Sequence, residues 1–279
     1  QFTAPGTGVG CQCIREGYGN SSHPFVISDW KVNASEGDGI TMAWTDAYFV
    51  ILNVNVSGSE GYSGIVLRGV ENSKVLDSSV SGYSHGISLF KSSHITVANN
   101  TVSDSDFGIL LEASNANTII GNRLDRSRQV GIFVRGSENV IDANYVLDGS
   151  FGGINVDGTA GYGSANQITN NVVQRNLQYG IGLWRALRNS VSGNLVSDNA
   201  GPGIMLTDSS TNNSIDNNRV INNQADGILI SDRSSENNVV QNVATDNGNG
   251  TTTFDLHDES PPNTWLDNVC NTRNPDTIS

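Results

Sequence analysis

The stretch Gly108-Ile109-Leu110-Leu111, followed by Asn122-Arg123-Leu124, is one copy of a unit that recurs along the chain. Each copy begins with Gly-Ile, continues with any residue and an aliphatic residue, and is followed by an asparagine step. The glycines are Gly39, Gly64, Gly86, Gly108, Gly131, Gly153, Gly180, Gly203 and Gly227, and the asparagines are Asn100, Asn122, Asn144, Asn171, Asn194, Asn218, Asn242 and Asn268. Successive glycines are 22 to 27 residues apart, a period typical of a solenoid.

The repeat is too short for two helices, and its apolar residues alternate. In Gly131-Ile132-Phe133-Val134-Arg135, Ile132 and Val134 share one face of a strand. Such a fragment buries its apolar face only by stacking on its neighbours. Leucine-rich repeats have a similar length, but their Leu-x-x-Leu-x-Leu pattern is absent from the sequence. We therefore predict an all-β fold, a right-handed parallel β-helix of about ten coils with a 22–24-residue repeat.

The recurring asparagines have a structural explanation. Identical amides stacked at one corner of successive coils can hydrogen-bond along the rod, as side-chain ladders do in stacked β assemblies. Asparagine also tolerates the left-handed backbone that a tight corner requires. We interpret this column as part of the fold, an asparagine ladder.

The Gly-Ile and Asn steps resemble those of the parallel β-helix repeat family over about residues 35–270. That family includes carbohydrate-binding and sugar-hydrolase repeat domains, polysaccharide lyases, epimerases, and periplasmic accessory proteins of nitrous-oxide reductase. The resemblance implies the fold and a carbohydrate-active role. The matching residues build the coil, however, so the reaction is not implied.

The repeat runs through nearly the whole chain, so we predict a single domain. Residues 1–24 lack the repeat and are predicted to form an irregular N-terminal cap, residues 25–270 the coils, and residues 271–279 a C-terminal cap. Extra residues from Asp157 to Gly163 interrupt one coil. Insertions in a solenoid commonly border its binding surface.

Composition restricts the partners. The net charge of -13 disfavours nucleic acid, which requires a basic surface. Apolar runs near 18 residues are absent, so no membrane span is expected. The chain begins at Gln1 without an initiator methionine, as a processed protein would, and we expect a secreted, extracellular or periplasmic location. Cys270 is expected to be a small buried residue, with Cys11 and Cys13 in the core or the cap.

One outward column is predicted four residues after each glycine. Its members include Arg68, Phe90, Glu112, Arg135, Asp157 and Trp184. Phe133 belongs to the neighbouring outward column, and His85 and Tyr179 come directly before Gly86 and Gly180. Rings and fixed polar groups along a groove are typical of sugar binding. We therefore predict substrate binding by Phe90, Phe133, Tyr179 and Trp184.

The charged members of this column are candidate catalytic residues. Glu112 and Asp157, two coils apart, have a spacing near the upper limit for an inverting glycosidase. A lyase or epimerase would instead use Arg68 or Arg135 to neutralise charge, with His85 or Tyr179 as the base. The competing interpretation is an alternating-charge ladder on a solvated face. Asp-Pro-His, Asn-Thr-Asp and Gly-His-Gly motifs of known β-helix enzymes are absent.

A second predicted column contains Asp208, Asp232 and Asp258. Such an oxygen cluster could bind calcium; alternatively, these are ordinary turn aspartates. Two functions therefore stay open. The first is a secreted protein that binds, cleaves or epimerises a polysaccharide or oligosaccharide. The second is a rigid rod that self-associates through its ends.

Overall fold

A computed structural model describes residues 16–248, 250–275 and 278. In this range the chain forms three parallel sheets of 11 strands each, here named A, B and C. Sheet A contains Phe25–Ser28, Phe49–Leu52, Lys74–Leu76, Thr96–Ala98, Thr118–Ile120, Val140–Asp142, Gln167–Thr169, Ser190–Ser192, Ser214–Asp216, Asn238–Val240 and Thr264–Leu266. Each coil contributes one strand to each sheet, so the chain winds as a parallel β-helix, as predicted.

The other two sheets follow the same order. Sheet B contains Lys31–Ala34, Asn55–Gly58, Ser79–Ser81, Thr101–Ser103, Arg123–Asp125, Tyr145–Leu147, Val172–Gln174, Leu195–Ser197, Arg219–Ile221, Val243–Thr245 and Val269–Cys270. Sheet C contains Ile40–Thr45, Ser63–Val70, His85–Phe90, Phe107–Glu112, Val130–Arg135, Gly152–Asp157, Ile181–Trp184, Ile204–Thr207, Ile228–Ile230, Leu256–Asp258 and Arg273–Asn274. A 3-10 turn, Thr159–Gly161, follows one strand of sheet C.

Stacking in register places equivalent residues above one another. Ile109 pairs with Ile87 on one side and Ile132 on the other. These isoleucines are fully buried, together with Leu111 of sheet C and Ile119 of sheet A. One apolar core therefore runs along the inside of all three sheets.

The glycine that begins each unit is required by space. Gly131 does not have a positive φ, yet a Cβ atom added there would lie 2.2 Å from Val146 Cγ1 and 2.8 Å from the Gly153 carbonyl oxygen. Real Cβ atoms do not approach neighbours so closely. The middle residue of a sheet B strand therefore packs against the entry to sheet C only where no side chain intervenes.

The asparagine column forms hydrogen bonds along the rod. Asn144 Nδ2 donates to Asn171 Oδ1 at 3.0 Å and to the Ile119 carbonyl at 2.9 Å. Its own Oδ1 accepts from the amide and side chain of Asn122. Each buried amide thus satisfies backbone groups that the corner leaves without strand partners.

Two further columns of the same kind were not predicted. One contains Asn117, Asn139, Asn166, Asn189, Asn213, Asn237 and Asn263, and the other Asn176, Asn199, Asn223 and Asn247. The first has a signal in the sequence, because each of its members lies five residues before an asparagine of the predicted column.

The ends of the coil differ in part from the predicted boundaries. Residues 1–15 of the expected N-terminal cap, with Cys11 and Cys13, lie outside the described residues, and Glu16 bridges antiparallel to Val26. At the other end, Arg273 pairs with Leu256. Pairing in sheet C therefore extends to Asn274, within the segment predicted as the C-terminal cap. Cys270 is a free thiol that packs half-buried against the core.

Candidate functional site

The outer face of sheet C places the predicted column in line. Arg68 pairs with Phe90, Phe90 with Glu112, and Glu112 with Arg135. Asp157 and Trp184 pair one coil further along. The alternation of the strands therefore brings these side chains to one surface.

Arg135 lies between two carboxylates and binds both. Its Nη1 is 3.2 Å from Glu112 Oε1, and its Nη2 is 2.6 Å from Asp157 Oδ2. The other Asp157 oxygen accepts from the backbone N–H and hydroxyl of Thr159. Burial alone would raise the pKa of Asp157, but the hydrogen bonds from Thr159 and Arg135 outweigh it and lower that pKa.

This triad has a consequence for the predicted glycosidase pair. The guanidinium of Arg135 fills the space between Glu112 and Asp157, where such an enzyme would hold the glycosidic bond. Its pKa is raised, chiefly by the hydrogen bond to Asp157. The arrangement is that of the charge ladder considered as the competing interpretation.

The remaining candidate catalytic residues do not converge. Arg68 is exposed, and its guanidinium lies 5.5 Å from the centroid of the Phe90 ring. His85 Nδ1 lies 3.2 Å from Ser63 Oγ, and burial lowers the pKa of the His85 imidazole. Four coils separate the positions of His85 and Tyr179, about 19 Å at the spacing of parallel strands. The two alternative candidate bases therefore lie at different places along the coil.

Two adjoining hollows on sheet C form a groove, here called the sheet C groove. The first, of about 420 Å³, is lined by Phe107, Arg128, Gln129, Val130 and Phe133, with Phe151, Asn155 and Tyr179. The second, of about 330 Å³, shares those last three residues and adds Asp157, Thr159, Trp184, Arg185 and Asp208. Thr159 belongs to the inserted segment, which therefore borders the groove as predicted.

The aromatic residues of the groove pack on one another. Tyr179 and Trp184 meet edge to face with ring centroids 4.7 Å apart, and Phe151 approaches Tyr179 at 5.6 Å. Trp184 lies flat over Gly182, where an added Cβ would be 1.9 Å from its ring. Its ring is thereby half-buried and presents one side to the groove. Phe90 is absent from the lining and lies beneath Arg68 and Lys91.

The floor of the groove contains two polar atoms without hydrogen bonds of regular geometry. Tyr179 is 4% exposed, and neither its hydroxyl nor Asn155 Oδ1 has a hydrogen-bond partner of regular geometry among the described residues. Burial raises the pKa of Tyr179 strongly, and a weak side-chain hydrogen bond with Asn155 partly opposes that rise. Buried polar groups are normally satisfied, so these two atoms, both lining the groove, mark a place for a polar ligand group.

Sequence reasoning missed several lining residues. It placed Asn155 on the outward face by alternation but assigned it no role, and it did not name Phe151, Arg128 or Arg185. Arg128 pairs with Asp106 at 2.7 Å and Glu60 at 3.3 Å. Phe151, Arg128 and Arg185 lie outside the strands, so the alternation of strand residues does not predict where their side chains point.

The predicted calcium column is not assembled. Asp208 pairs with Arg185 at 2.6 Å, and Asp232 Oδ2 accepts from Thr207 Oγ1 at 2.6 Å. Asp258 pairs in register with Ile230, which lies two residues before Asp232. The Asp258 side chain is buried, and its Oδ2 accepts a hydrogen bond from Trp265 Nε1 at 2.9 Å. Across residues 16–248, 250–275 and 278, no three His, Cys, Asp or Glu side chains are placed to hold a metal ion.

His257, next to Asp258 in the same strand, is buried. It is 8% exposed, and its Nδ1 lies 2.9 Å from Asp226 Oδ1. Phe254 packs against its ring at 5.1 Å. Phe254 belongs to residues 250–255, which form no strand, and its ring shields His257 from solvent.

No helix in the described part of the chain is long and apolar enough to cross a membrane.

The chain matches two family models. The model described as the right-handed beta helix region matches residues 107–260, and that of the periplasmic copper-binding protein NosD matches residues 9–162. No curated protein matches the chain in sequence.

Solved structures with this fold include enzymes and a phage protein. The A-module of the mannuronan C-5 epimerase AlgE4 of Azotobacter vinelandii is 13% identical, with a TM-score of 0.68 over 91% of this chain and 80% of that one. The periplasmic alginate epimerase AlgG is 15% identical, with a TM-score of 0.67 over 90% and 75%. The receptor-binding protein of bacteriophage Det7, a podoviral tailspike in a myovirus, is 17% identical, with a TM-score of 0.59 over 81% and 49%.

Identities this low show the fold alone. The right-handed beta helix model, in contrast, matches more than half of the chain, and the three-sheet architecture agrees with it. The chain therefore belongs to the right-handed parallel β-helix repeat family.

Proposed function

We propose that this protein binds a polysaccharide or oligosaccharide in the sheet C groove. The observation that carries the proposal is the pair of unsatisfied polar atoms, the Tyr179 hydroxyl and Asn155 Oδ1, on a floor flanked by aromatic rings. Sugars combine apolar ring faces with hydroxyl groups. Aromatic side chains cover the first, and fixed donors and acceptors bind the second.

The comparisons support the ligand class and the location. Two of the similar structures are named for epimerisation of mannuronan or alginate, and the third is a phage receptor-binding protein. NosD and AlgG are both described as periplasmic. We accordingly place this protein outside the cytoplasm, in the periplasm or the extracellular space.

The site is better suited to binding than to acid–base catalysis. Glu112 and Asp157 are held by Arg135. The Tyr179 hydroxyl is protonated at neutral pH, as an ordinary tyrosine is, and burial raises its pKa further, so it is suited to donating a hydrogen bond rather than to removing a proton. A bound glycan would therefore be recognised along the groove without being cleaved.

The test is glycan binding by Trp184→Ala. Removing the ring opens the groove and exposes Tyr179, so we expect affinity for a short oligosaccharide to fall about tenfold or more, equivalent to ~1.4 kcal/mol. A glycan array identifies the ligand, and isothermal titration calorimetry measures the affinity.

Trp44→Ala is the matched control. Trp44 is on sheet C too, but it is 68% exposed and six coils from Trp184. Its loss should leave binding unchanged. Equal affinity of wild type and Trp184→Ala, with the fold intact by circular dichroism, would show that the groove is not the binding site.

A further inference from the structure

The charges around the sheet C groove are already compensated. Arg185 pairs with Asp208, Arg128 with Asp106 and Glu60, and Arg135 with Glu112 and Asp157. Five carboxylates therefore surround three guanidinium groups, and the local charge is negative. Among the described lining residues, Arg128 and Arg185 are the cations, and both are paired.

From this charge pattern we infer that the groove selects an uncharged stretch of glycan and discriminates against acidic sugars such as uronates. The inference rests on the proposed carbohydrate function and specifies its ligand. A ligand carboxylate in the groove would lose water, meet an excess of negative charge, and find no free cation. The net charge of -13 adds a long-range repulsion of polyanions.

The two unsatisfied atoms point to the same ligand class. A sugar hydroxyl both accepts and donates hydrogen bonds, so one hydroxyl can accept from Tyr179 and donate to Asn155 Oδ1. A carboxylate has no proton to donate and would leave the Asn155 oxygen unsatisfied and facing a negative charge. The floor is therefore complementary to a hydroxyl.

Unpaired cations occur elsewhere on sheet C. Arg68 and Lys91 both lie over the Phe90 ring, at 5.5 and 5.4 Å from its centroid, and neither makes an ion pair among the described residues. Phe90 does not line the groove. The cations on this face that have no ion pair therefore lie outside the groove, whereas the two arginines that line the groove are both paired.

The experiment compares a uronate oligosaccharide with the neutral oligosaccharide obtained from it by reducing every carboxyl group to an alcohol. The two ligands share linkage, length and ring geometry and differ in charge. We expect the reduced ligand to bind at least about tenfold more tightly at low ionic strength. The preference should shrink as salt rises, because salt screens repulsion between exposed charges.

The variant Asp208→Asn tests the cause. It frees Arg185 inside the 330 Å³ hollow, so the affinity for the uronate relative to the affinity for the reduced ligand should rise at least about fivefold. Asp208 has a φ of 58°, which asparagine tolerates. Asp77→Asn is the matched control, since Asp77 is exposed, has a φ of 50° and lies between sheets A and B; it should change neither affinity.

Three results are informative. Tighter binding of the neutral ligand, with the gain in Asp208→Asn, supports the inference. Equal or tighter binding of the uronate by the wild type overturns it but leaves carbohydrate binding standing. Absence of binding to either ligand and to a broad glycan array, by folded protein, overturns the proposed function itself.

Discussion

At the scale of the residue, two buried tyrosines illustrate how the site differs from the core. The Tyr83 hydroxyl donates to the Ser57 carbonyl at 3.0 Å. The Tyr179 hydroxyl, also buried, has no partner of regular geometry within the described residues and interacts only weakly with the Asn155 side chain. Leaving a buried donor unsatisfied costs ~1–3 kcal/mol. A cost of this kind in the folded protein is expected where the group serves a ligand.

Substitution by phenylalanine separates the two roles. Tyr83→Phe removes a hydrogen bond and should lower the free energy of unfolding by ~1 kcal/mol. Tyr179→Phe removes an unsatisfied hydroxyl and should leave that free energy unchanged or raise it, while glycan affinity falls several-fold. Urea unfolding and calorimetry measure the two quantities. Loss of stability in Tyr179→Phe without loss of binding would mean that the hydroxyl has a structural partner.

At the scale of the element, the entry to each strand of sheet C depends on a contact with sheet B. Gly131 faces Val146 Cγ1 at a distance that leaves no room for a methyl group. The same contact recurs between Gly153 and Val173 and between Gly180 and Val196. The repeat is therefore maintained by packing between sheets as much as by strand pairing.

Gly131→Ala tests this contact. Forcing a methyl group into the corner should lower the free energy of unfolding by ~1–3 kcal/mol. In the double variant Gly131→Ala/Val146→Ala the clash with Cγ1 disappears, so its loss of stability should be smaller than the sum of the single losses by ~1 kcal/mol. Denaturant unfolding of the four proteins measures the coupling, and simple additivity would show that Val146 does not limit the space.

At the scale of the whole molecule, each coil is supported by the coils on either side. Middle coils have two neighbours, whereas the last strands, Val269–Cys270 and Arg273–Asn274, have one. Leu266 and Val269 remain 50% and 58% exposed there. Stability should therefore fall toward this end. Self-association through the rod ends stays a prediction from the sequence.

Hydrogen exchange distinguishes local bonding from neighbour support. The Val172 N–H donates to the Asn144 carbonyl and the Val269 N–H to the Asn242 carbonyl, both at 2.8 Å and at equivalent positions. We expect the Val172 amide to be protected at least about 100-fold more, because the terminal coil opens alone. Equal protection, read by nuclear magnetic resonance, would mean that the described coils unfold as one unit.

The coil, its period and the inward or outward side of each strand residue follow from the sequence alone. The Gly-Ile and Asn steps predict the fold because a solenoid repeats the same local geometry. Strand alternation placed Phe133 and Trp184 on the outside of sheet C because it depends only on neighbouring residues. The same rule put Asn155 beside them.

Contacts made by turn residues depend on the tertiary structure. Arg185 binds Asp208 and Arg128 binds Asp106 and Glu60 from other coils, and neither pairing follows from a residue's own position in the sequence repeat. Asp258 occupies a buried position because the irregular segment before it shifts the column by two residues relative to Asp232. The partners of a side chain lie on other coils, and rotamers, turns and insertions determine which of their atoms come within contact distance. A pattern read along one strand contains the direction of a side chain but not the atoms that it reaches.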